Sequence, residues 1–459
     1  AYIEALGGGT IDIGSAQVHA VGRGGSAATH QSGNGTGGAA RIAASGANSR
    51  VTILRNVPDA FTETSGGFAI INANGIADTT NGGNGIGGIG RGGTADVTAT
   101  AGGTVNLPTN IASDPNAAFP SLAIFARGFG GASVVDGGAG GAAFGGTVTI
   151  LADGGTIAMG AATPSTFSEG GSSLDPLLNI TGGDVTGGTR TIRVINGGQL
   201  TIESAGGGAG AQGGNGSGTG NGGNAIAGNV VFEIINSTAN LIGGAPVFNN
   251  SNGGAGQIGG NVSGGTITVN AVDSVINLSP NTLGERNLSI FNEVRGGDGI
   301  TAGGNAQGSL VLLTLDGTQV TGGNLATTLL ATGGNASAVN GTGGSATGST
   351  YAANIIDAAI NSAGEVLFAA DAIGGNGGIN GVGGNATTGD VDVVFTRSTI
   401  AIAADPQGLP GILRVRAQAT GGQGATIGNA TSRRALLNLV DSTLAATSVY
   451  VESRALANT

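Results

Sequence analysis

Residues 367–402 read LFAADAIGGNGGINGVGGNATTGDVDVVFTRSTIAI, and this stretch decides the fold. It joins a short apolar strand, a tract of Gly, Asn and Ala, a second strand, a polar corner and a third strand. In the second strand, Val391, Val393 and Phe395 alternate with residues of the opposite face, starting at Asp390. Alternation with a period of two predicts a strand with one buried face.

The same order of segments recurs along the chain. The first Gly-Gly pair of each tract begins at Gly24, Gly82, Gly130, Gly206, Gly253, Gly296, Gly333, Gly374 and Gly421. The last four intervals range from 37 to 47 residues, so the units are regular while their loops vary in length. We therefore predict about ten repeats in one elongated domain over residues 1–459.

The fold predicted from these repeats is all-β: a right-handed parallel β-helix (β-solenoid) with Gly/Asn-rich tracts between the strands. The Pro- and Ser-containing stretch near 161–176 is interpreted as a loop insertion that leaves the solenoid. The predicted interior includes Ile267, Val269, Leu310, Leu312, Val391, Val393, Leu437 and Leu439.

Two short patterns predict how the chain turns. A polar residue followed by Ser ends several strands, and such short polar side chains favour tight corners because they bond to nearby backbone. These pairs are Asn236-Ser237, Asp273-Ser274, Arg397-Ser398 and Asp441-Ser442. The triplet Gly-Gly-Asn recurs in the tracts, which favours an ordered, stacked layer with asparagine ladders over the alternative of flexible loops.

Composition narrows the classes of function. The chain has 97 Gly, no Cys, 9% charged residues and a net charge of −11, and all of its basic residues are Arg. So few positive charges exclude neutralisation of a phosphate backbone, and we expect neither nucleic-acid binding nor association with anionic membranes. No long apolar run or signal peptide pattern is present, so we expect no membrane insertion. Export would need a signal that was removed or lies outside these residues.

The alternation of short aliphatic strands with Gly/Asn/Ala tracts resembles the β-helical repeat regions of large bacterial secreted adhesins, namely autotransporter passengers and filamentous-haemagglutinin-like exoproteins. The resemblance covers nearly the whole chain, but no catalytic or secretion motif of those families accompanies it. It implies export, an extracellular or bacterial cell-surface location, and a role in attachment. The glycine tracts are also similar to those of mycobacterial polyglycine-rich surface proteins.

Acid–base chemistry has one candidate pair. Asp390 and Asp392 stand two residues apart on one strand, as in a polysaccharide-cleaving β-helix that uses paired carboxylates. The alternative interpretation, which we favour, is the solvent face of an amphipathic strand. The histidines His19 and His30 lack the spacing and third ligand of a metal site and are interpreted as solvated, although Arg23 and Asp12 lie near them in sequence.

The sequence contains only parts of a calcium-binding pattern and of an ice-binding pattern. Asp184 and Asp298 follow Gly-Gly, but the regular carboxylates of a calcium-binding nonapeptide repeat are missing around them. Thr147 and Thr149, and then Thr266 and Thr268, suggest the threonine ladder of an ice-binding surface, but neighbouring units break it.

We therefore expect no catalytic, cofactor-binding or metal-binding residues, and a structural or adhesive protein that is not an enzyme. A polysaccharide lyase or hydrolase is the alternative. The chain opens with a strand-like AYIEAL and stops in VYVESRALANT, with no cap visible at either end. We expect either a segment of a longer chain or a subunit that stacks end to end into a fibre, with a host or matrix glycan or protein surface as a further possible partner.

Overall fold

The computed structural model is a parallel β-solenoid, which confirms the predicted fold class. It describes residues 1–26, 32–53, 69–79, 85–107, 122–205, 207–242, 245–279, 287–405, 408 and 410–457. One turn of the solenoid contributes one strand to each of several parallel sheets before the chain reaches the next turn. Each repeat is therefore one turn, and eleven strands of the first sheet mark eleven turns.

The four main sheets run the length of the rod. Sheet 1 consists of Tyr2–Leu6, Ala39–Ser45, Thr94–Thr100, Thr147–Asp153, Thr189–Ile195, Asn229–Ile235, Thr266–Val272, Leu310–Asp316, Thr350–Ile356, Val391–Thr396 and Ala435–Val440. Sheet 2 consists of Thr10–Ile13, Ala16–His19, Arg50–Ile53, Ala69–Asn72, Thr104–Asn106, Leu122–Phe125, Thr156–Ser165, Gln199–Ala205, Thr238–Ile242, Val275–Ser279, Gln319–Gly322, Ala359–Ala363, Thr399–Ala403 and Thr443–Ala445.

The other two sheets lie on either side of the glycine tracts in the chain. Sheet 3 consists of Gly22–Arg23, Gly75–Ile76, Gly128–Phe129, Ser168–Glu169, Ala211–Gln212, Ala245–Asn252, Asn287–Arg295, Asn324–Thr332, Glu365–Ile373, Ile412–Thr420 and Ser448–Leu456. Sheet 4 consists of Gly35–Thr36, Gly90–Arg91, Ala143–Phe144, Val185–Thr186, Ala225–Ile226, Val262–Ser263, Ala306–Gln307, Ala346–Thr347, Ala386–Thr387 and Ala430–Thr431. A two-stranded pair joins Gly256–Ile258 to Gly299–Ala302.

The core consists of aliphatic ladders in which equivalent residues of successive turns stack. In sheet 1 one such column runs through Ile42, Val97, Ile150, Ile192, Phe232, Val269, Leu313, Ala353 and Val393. A second, narrower core of mostly alanine lies between the ends of the sheet 3 strands and sheet 4, at Ala331, Ala346 and Ala372 among others. Small side chains there allow the two sheets to approach closely before the glycine tract begins.

The predicted interior is right at some positions and wrong at others. Ile267, Val269, Val391 and Val393 are fully buried, as predicted. Leu310 and Leu312 instead point outward and are 44% and 36% exposed, because Val311, Leu313 and Leu315 take the interior positions of that strand. In the last strand of sheet 1, Leu437 packs against the core, whereas Leu439 is 41% exposed where no further strand lies beside it.

The predicted loop insertion near 161–176 is wrong over its first residues. The strand Thr156–Ser165 continues through Pro164 and pairs there with Leu122–Phe125, and Ser168–Glu169 forms the next strand in sheet 3. The neighbouring strand Gln199–Ala205 ends opposite Ala162, so Pro164 has a strand partner on one side only. Proline is tolerated at such a position because it needs no second ladder hydrogen bond.

The predicted polar corners lie between sheet 1 and sheet 2. Asn236, Asp273, Arg397 and Asp441 all have the left-handed backbone, with φ between 46° and 50°. The serine that follows each of them turns its hydroxyl back to a carbonyl two residues earlier, as Ser398 does to Thr396 at 2.9 Å. The serine hydroxyl at this step thus helps to form the corner in these four turns.

Removing one corner hydroxyl should destabilise the rod. Ser398 is buried, and its Oγ also accepts a hydrogen bond from the Ala358 amide at 3.1 Å in the preceding turn. Ser398→Ala leaves that amide without this acceptor and should lower the free energy of unfolding by about 1–3 kcal/mol. The control is Ser263→Ala, a half-exposed hydroxyl in sheet 4 that water can solvate. Equal denaturant midpoints for the two variants would contradict the expectation.

The glycine tracts are ordered, as predicted, and form a layer beside sheets 3 and 4, whose strands flank each tract in the chain. In each turn the tract runs outward from sheet 3 as one leg and returns to sheet 4 as a second leg, and the legs of successive turns interleave. The Gly344 amide donates to the Gly334 carbonyl of its own turn at 2.8 Å, and the Gly334 amide donates to the Gly304 carbonyl of the turn before, also at 2.8 Å. The same succession continues from Gly88 to Gly428. We call this the glycine layer; its legs occupy residues 130–141, 170–183, 213–223, 253–260, 296–304, 333–344, 374–384 and 421–428.

Candidate functional surfaces

Arginine and acidic side chains on the surface pair mainly between adjacent turns. Among the residues that the structure describes, these cross-turn pairs are Arg41–Glu4, Arg50–Asp12, Arg193–Glu233, Arg397–Asp357, Arg414–Glu365, Arg416–Asp371 and Arg434–Asp392. Burial raises the pKa of the Asp371 carboxyl against the opposing effect of Arg416. The exposed pairs among them contribute little stability and mainly neutralise charge along the rod.

One arginine, Arg434, forms hydrogen bonds with both members of the candidate acid–base pair, Asp390 and Asp392. Both oxygens of Asp392 accept hydrogen bonds from the Arg434 guanidinium, and Asp390 accepts from the Arg434 backbone amide at 3.3 Å. The bond to Asp392 raises the pKa of Arg434. The structure therefore places Asp390 and Asp392 in a surface ion pair on sheet 1, in keeping with the solvent-face interpretation.

The two histidines and their sequence neighbours do not assemble in the described part of the chain. His19 is exposed, and its Nε2 lies 3.1 Å from Oε1 of Gln17. Asp12 pairs with Arg50 of the next turn at 3.0 Å, and Arg23 is exposed in sheet 3. His30 lies outside the described residues. Across the described ranges no three His, Cys, Asp or Glu side chains gather as metal ligands would.

Asp184 and Asp298, the calcium candidates, instead begin two asparagine ladders beside the glycine layer. Asp184 Oδ1 accepts a hydrogen bond from the Asn224 amide at 2.7 Å, and each later side-chain oxygen accepts from the amide of the following turn. The first ladder continues through Asn224, Asn261, Asn305 and Ser345, and the second runs from Asp298 through Asn335, Asn376 and Gln423. The recurring Gly-Gly-Asn triplets thus supply an outer line of hydrogen bonds between turns.

Truncating one ladder residue should loosen the layer locally. Asn261→Ala removes the oxygen that accepts the Asn305 amide at 2.8 Å. Because this bond is exposed, we expect a loss of only about 0.5–1.5 kcal/mol, together with faster hydrogen exchange at the Asn305 amide. Asn261→Asp keeps an acceptor oxygen, as Asp184 does two ladder positions earlier, and serves as the control. Unchanged exchange at Asn305 in Asn261→Ala would refute the ladder's role.

Threonine pairs on sheet 1 are more continuous than we predicted. Thr147 and Thr149 lie directly opposite Thr189 and Thr191 of the next turn, a pair that was missed. One turn with Asn229 and Val231 then intervenes before Thr266 and Thr268. The signal that could have revealed the missed pair is the shared Gly-Gly-Thr-x-Thr motif at all three sites.

A fully buried arginine was also missed. Arg190 occupies an inward-facing position of the strand Thr189–Ile195, between Val148 and Val230 of the adjacent turns. Its guanidinium donates to the Gly207 carbonyl at 2.7 Å, and burial lowers the pKa of Arg190 to about 10. The strict alternation of TRTIRVI predicts that the Arg190 side chain points inward. Arginine is rarely fully buried in proteins, however, and this argues against an inward arginine.

Comparisons with known proteins add no relative. Within the part of the chain that the structure describes, no helix has the length and apolarity needed to cross a bilayer. No family model matches the chain, and neither the curated proteins nor the solved structures give a match.

Proposed function

We propose that this chain is an extracellular structural and adhesive repeat protein of a bacterial surface, acting as a scaffold, fibre or adhesin. The observation that carries the proposal is the stacking of eleven turns in register along one parallel sheet. At the usual spacing between strands, this stack forms a rod of about 50 Å. Such a rod holds attached partners apart and presents the same columns of side chains again in each turn.

Exposed aliphatic side chains on the glycine layer support an adhesive role. Ile258, Ile300, Val339 and Ile379 lie between the outgoing and returning legs of successive turns and are 45–83% exposed. Apolar residues that recur along one edge are typical of contact surfaces.

End-to-end stacking of copies into a fibre is the part of the proposal that concerns the outermost turns. Val449, Tyr450 and Val451 of the final sheet 3 strand are 42–48% exposed, and Tyr2 and Leu6 of the first strand are more exposed still. A further turn stacked on either strand would cover these side chains and pair their backbone groups.

The test is retention on defined surfaces. The purified 459-residue chain is coated on beads and applied to an array of glycans and matrix proteins, with beads that carry an unrelated protein of similar net charge as the control. We expect selective retention, and electron microscopy should show rods or filaments. Cleavage of an arrayed polysaccharide without stable retention would reject the proposal in favour of the lyase or hydrolase alternative.

A further inference from the structure

A groove runs parallel to the solenoid axis where sheet 4 meets sheet 1. It has a volume of about 640 Å³ and crosses five successive turns. One wall comes from sheet 4, at Thr186, Ile226, Gln307 and Thr347. The other wall comes from the start of the sheet 1 strands, at Thr189, Asn229, Thr266, Leu310 and Thr350. The links between the two sheets, which contain glycine in every turn, form the floor.

The register of the strands makes the groove periodic. Thr186 lies opposite Ile226 and Gln307 opposite Thr347 on one wall, and Thr266 lies opposite Leu310 on the other. Each of the five turns therefore adds one side chain to the sheet 1 wall, and four of them add one to the sheet 4 wall. Successive turns lie about 4.8 Å apart. Five turns give a groove about 20 Å long, which fits a linear polymer laid along the rod better than a compact ligand.

The chemistry of the lining selects against charged polymers. Among the described residues, every side chain that lines the groove is uncharged, and most carry the hydroxyls or amides of Thr, Ser, Asn and Gln. A nucleic acid or an acidic glycan would find no counter-charge within it. Thr, Asn and Gln side chains can both donate and accept hydrogen bonds, which suits the hydroxyl groups of an uncharged sugar.

The backbone of the floor selects against an extended peptide. The Gly187 amide donates to the Ile226 carbonyl at 2.8 Å, and the Gly264 amide donates to the Gln307 carbonyl at 2.7 Å. The Gly188 and Gly265 carbonyls accept amides of the next turn in the same way. A peptide that binds by strand addition needs free main-chain groups, and at these positions adjacent turns already use them.

We propose that this groove binds a linear uncharged polysaccharide whose chain lies parallel to the solenoid axis. An extended chain of hexoses advances per sugar by a distance close to one turn, so equivalent threonines and amides meet successive sugars. This inference rests on the proposed adhesive function and specifies its ligand. Because no aromatic ring is found among the described residues that line the groove, each contact with a sugar is weak, and strong attachment comes from many copies acting together.

The experiment measures binding of defined oligosaccharides to the full chain by saturation-transfer NMR and calorimetry. The uncharged probes are cellohexaose, laminarihexaose, mannohexaose and chitohexaose in its N-acetylated form, and hexagalacturonate is the acidic comparison. Thr266→Met removes a wall hydroxyl and fills the groove. Thr268→Met makes the same change two residues along the strand, on the same outer face of sheet 1 but outside the groove.

We expect at least one uncharged hexasaccharide to bind the wild type and Thr268→Met equally, and Thr266→Met about tenfold more weakly, a difference of about 1.4 kcal/mol. Matching circular dichroism spectra establish that all three chains fold alike. Equal binding by all three, preference for hexagalacturonate, or binding of no uncharged probe would overturn the inference. Retention of the beads on arrayed matrix proteins in any of these cases would leave the adhesive function standing, so the two failures are distinguishable.

Discussion

Gly344→Ala is expected to lower the free energy of unfolding by at least about 3 kcal/mol and to open the glycine layer around it. A Cβ added to Gly344 would lie 2.0 Å from the Gly304 carbonyl oxygen and 2.6 Å from its carbon. Both atoms belong to backbone that is itself fixed by hydrogen bonds, so no side-chain rotation relieves the overlap. Hydrogen exchange should therefore accelerate at the Gly334 and Gly344 amides together with the fall in the denaturant midpoint.

Gly14→Ala provides the control for this substitution. No atom beyond the chain neighbours of Gly14 lies within 4 Å of a Cβ added there, and its φ does not require glycine. The added methyl group only restricts the unfolded chain, so we expect a change of about 0.4–1 kcal/mol in the stabilising direction. If both glycines tolerated alanine equally, the close approach in the layer would be refuted.

Leu313→Ala is expected to cost about 3 kcal/mol, and Leu312→Ala less than about 1 kcal/mol. The two leucines are neighbours in one strand, so the pair compares equal chemistry on opposite faces. Leu313 is fully buried between Val269 and Ala353 of adjacent turns, whereas Leu312 is 36% exposed on the outer face. Denaturant unfolding followed by circular dichroism measures both variants.

The reverse order of the two effects would mean that the strand is shifted by one residue. Such a shift exchanges the faces of every side chain in the strand because the period is two. It would also move Leu310 inward, as we expected from the sequence.

That expectation failed for a physical reason that is local to one strand. In Leu310–Asp316 the residues LVLLTLD are apolar on both faces at first, so alternation carries no information about which face is buried. The register is fixed instead by pairing with Thr266–Val272 and Thr350–Ile356, where the faces differ clearly. Where polar residues mark one face, as at Asp390 and Asp392, the sequence was sufficient.

The glycine layer was predictable because it requires particular residues, and the corners were predictable because they favour particular residues. Only Gly fits where legs interleave, and Asn or Asp at corners adopts the left-handed backbone at low cost. The groove was not predictable from the sequence, since it is formed by residues of five turns that no short motif connects. The strand through Pro164 was missed because proline in a sequence normally indicates a loop. Proline fits this strand because Pro164 has a neighbouring strand on one side only, which the sequence does not reveal.

The hydrogen bonds of the glycine layer tie each turn to both of its neighbours. In the turn that contains residues 296–304, the Gly297 amide donates to Gly260 of the turn before, whereas the Gly303 amide donates to Thr342 of the turn after. Neighbouring peptide dipoles therefore point in opposite directions along the rod and largely cancel, as they do in other β-sheets. What gives the rod a direction is the parallel order of its strands. Copies that stack head to tail would continue this parallel pairing across the junction, so a fibre built from this rod would grow with all subunits pointing in one direction.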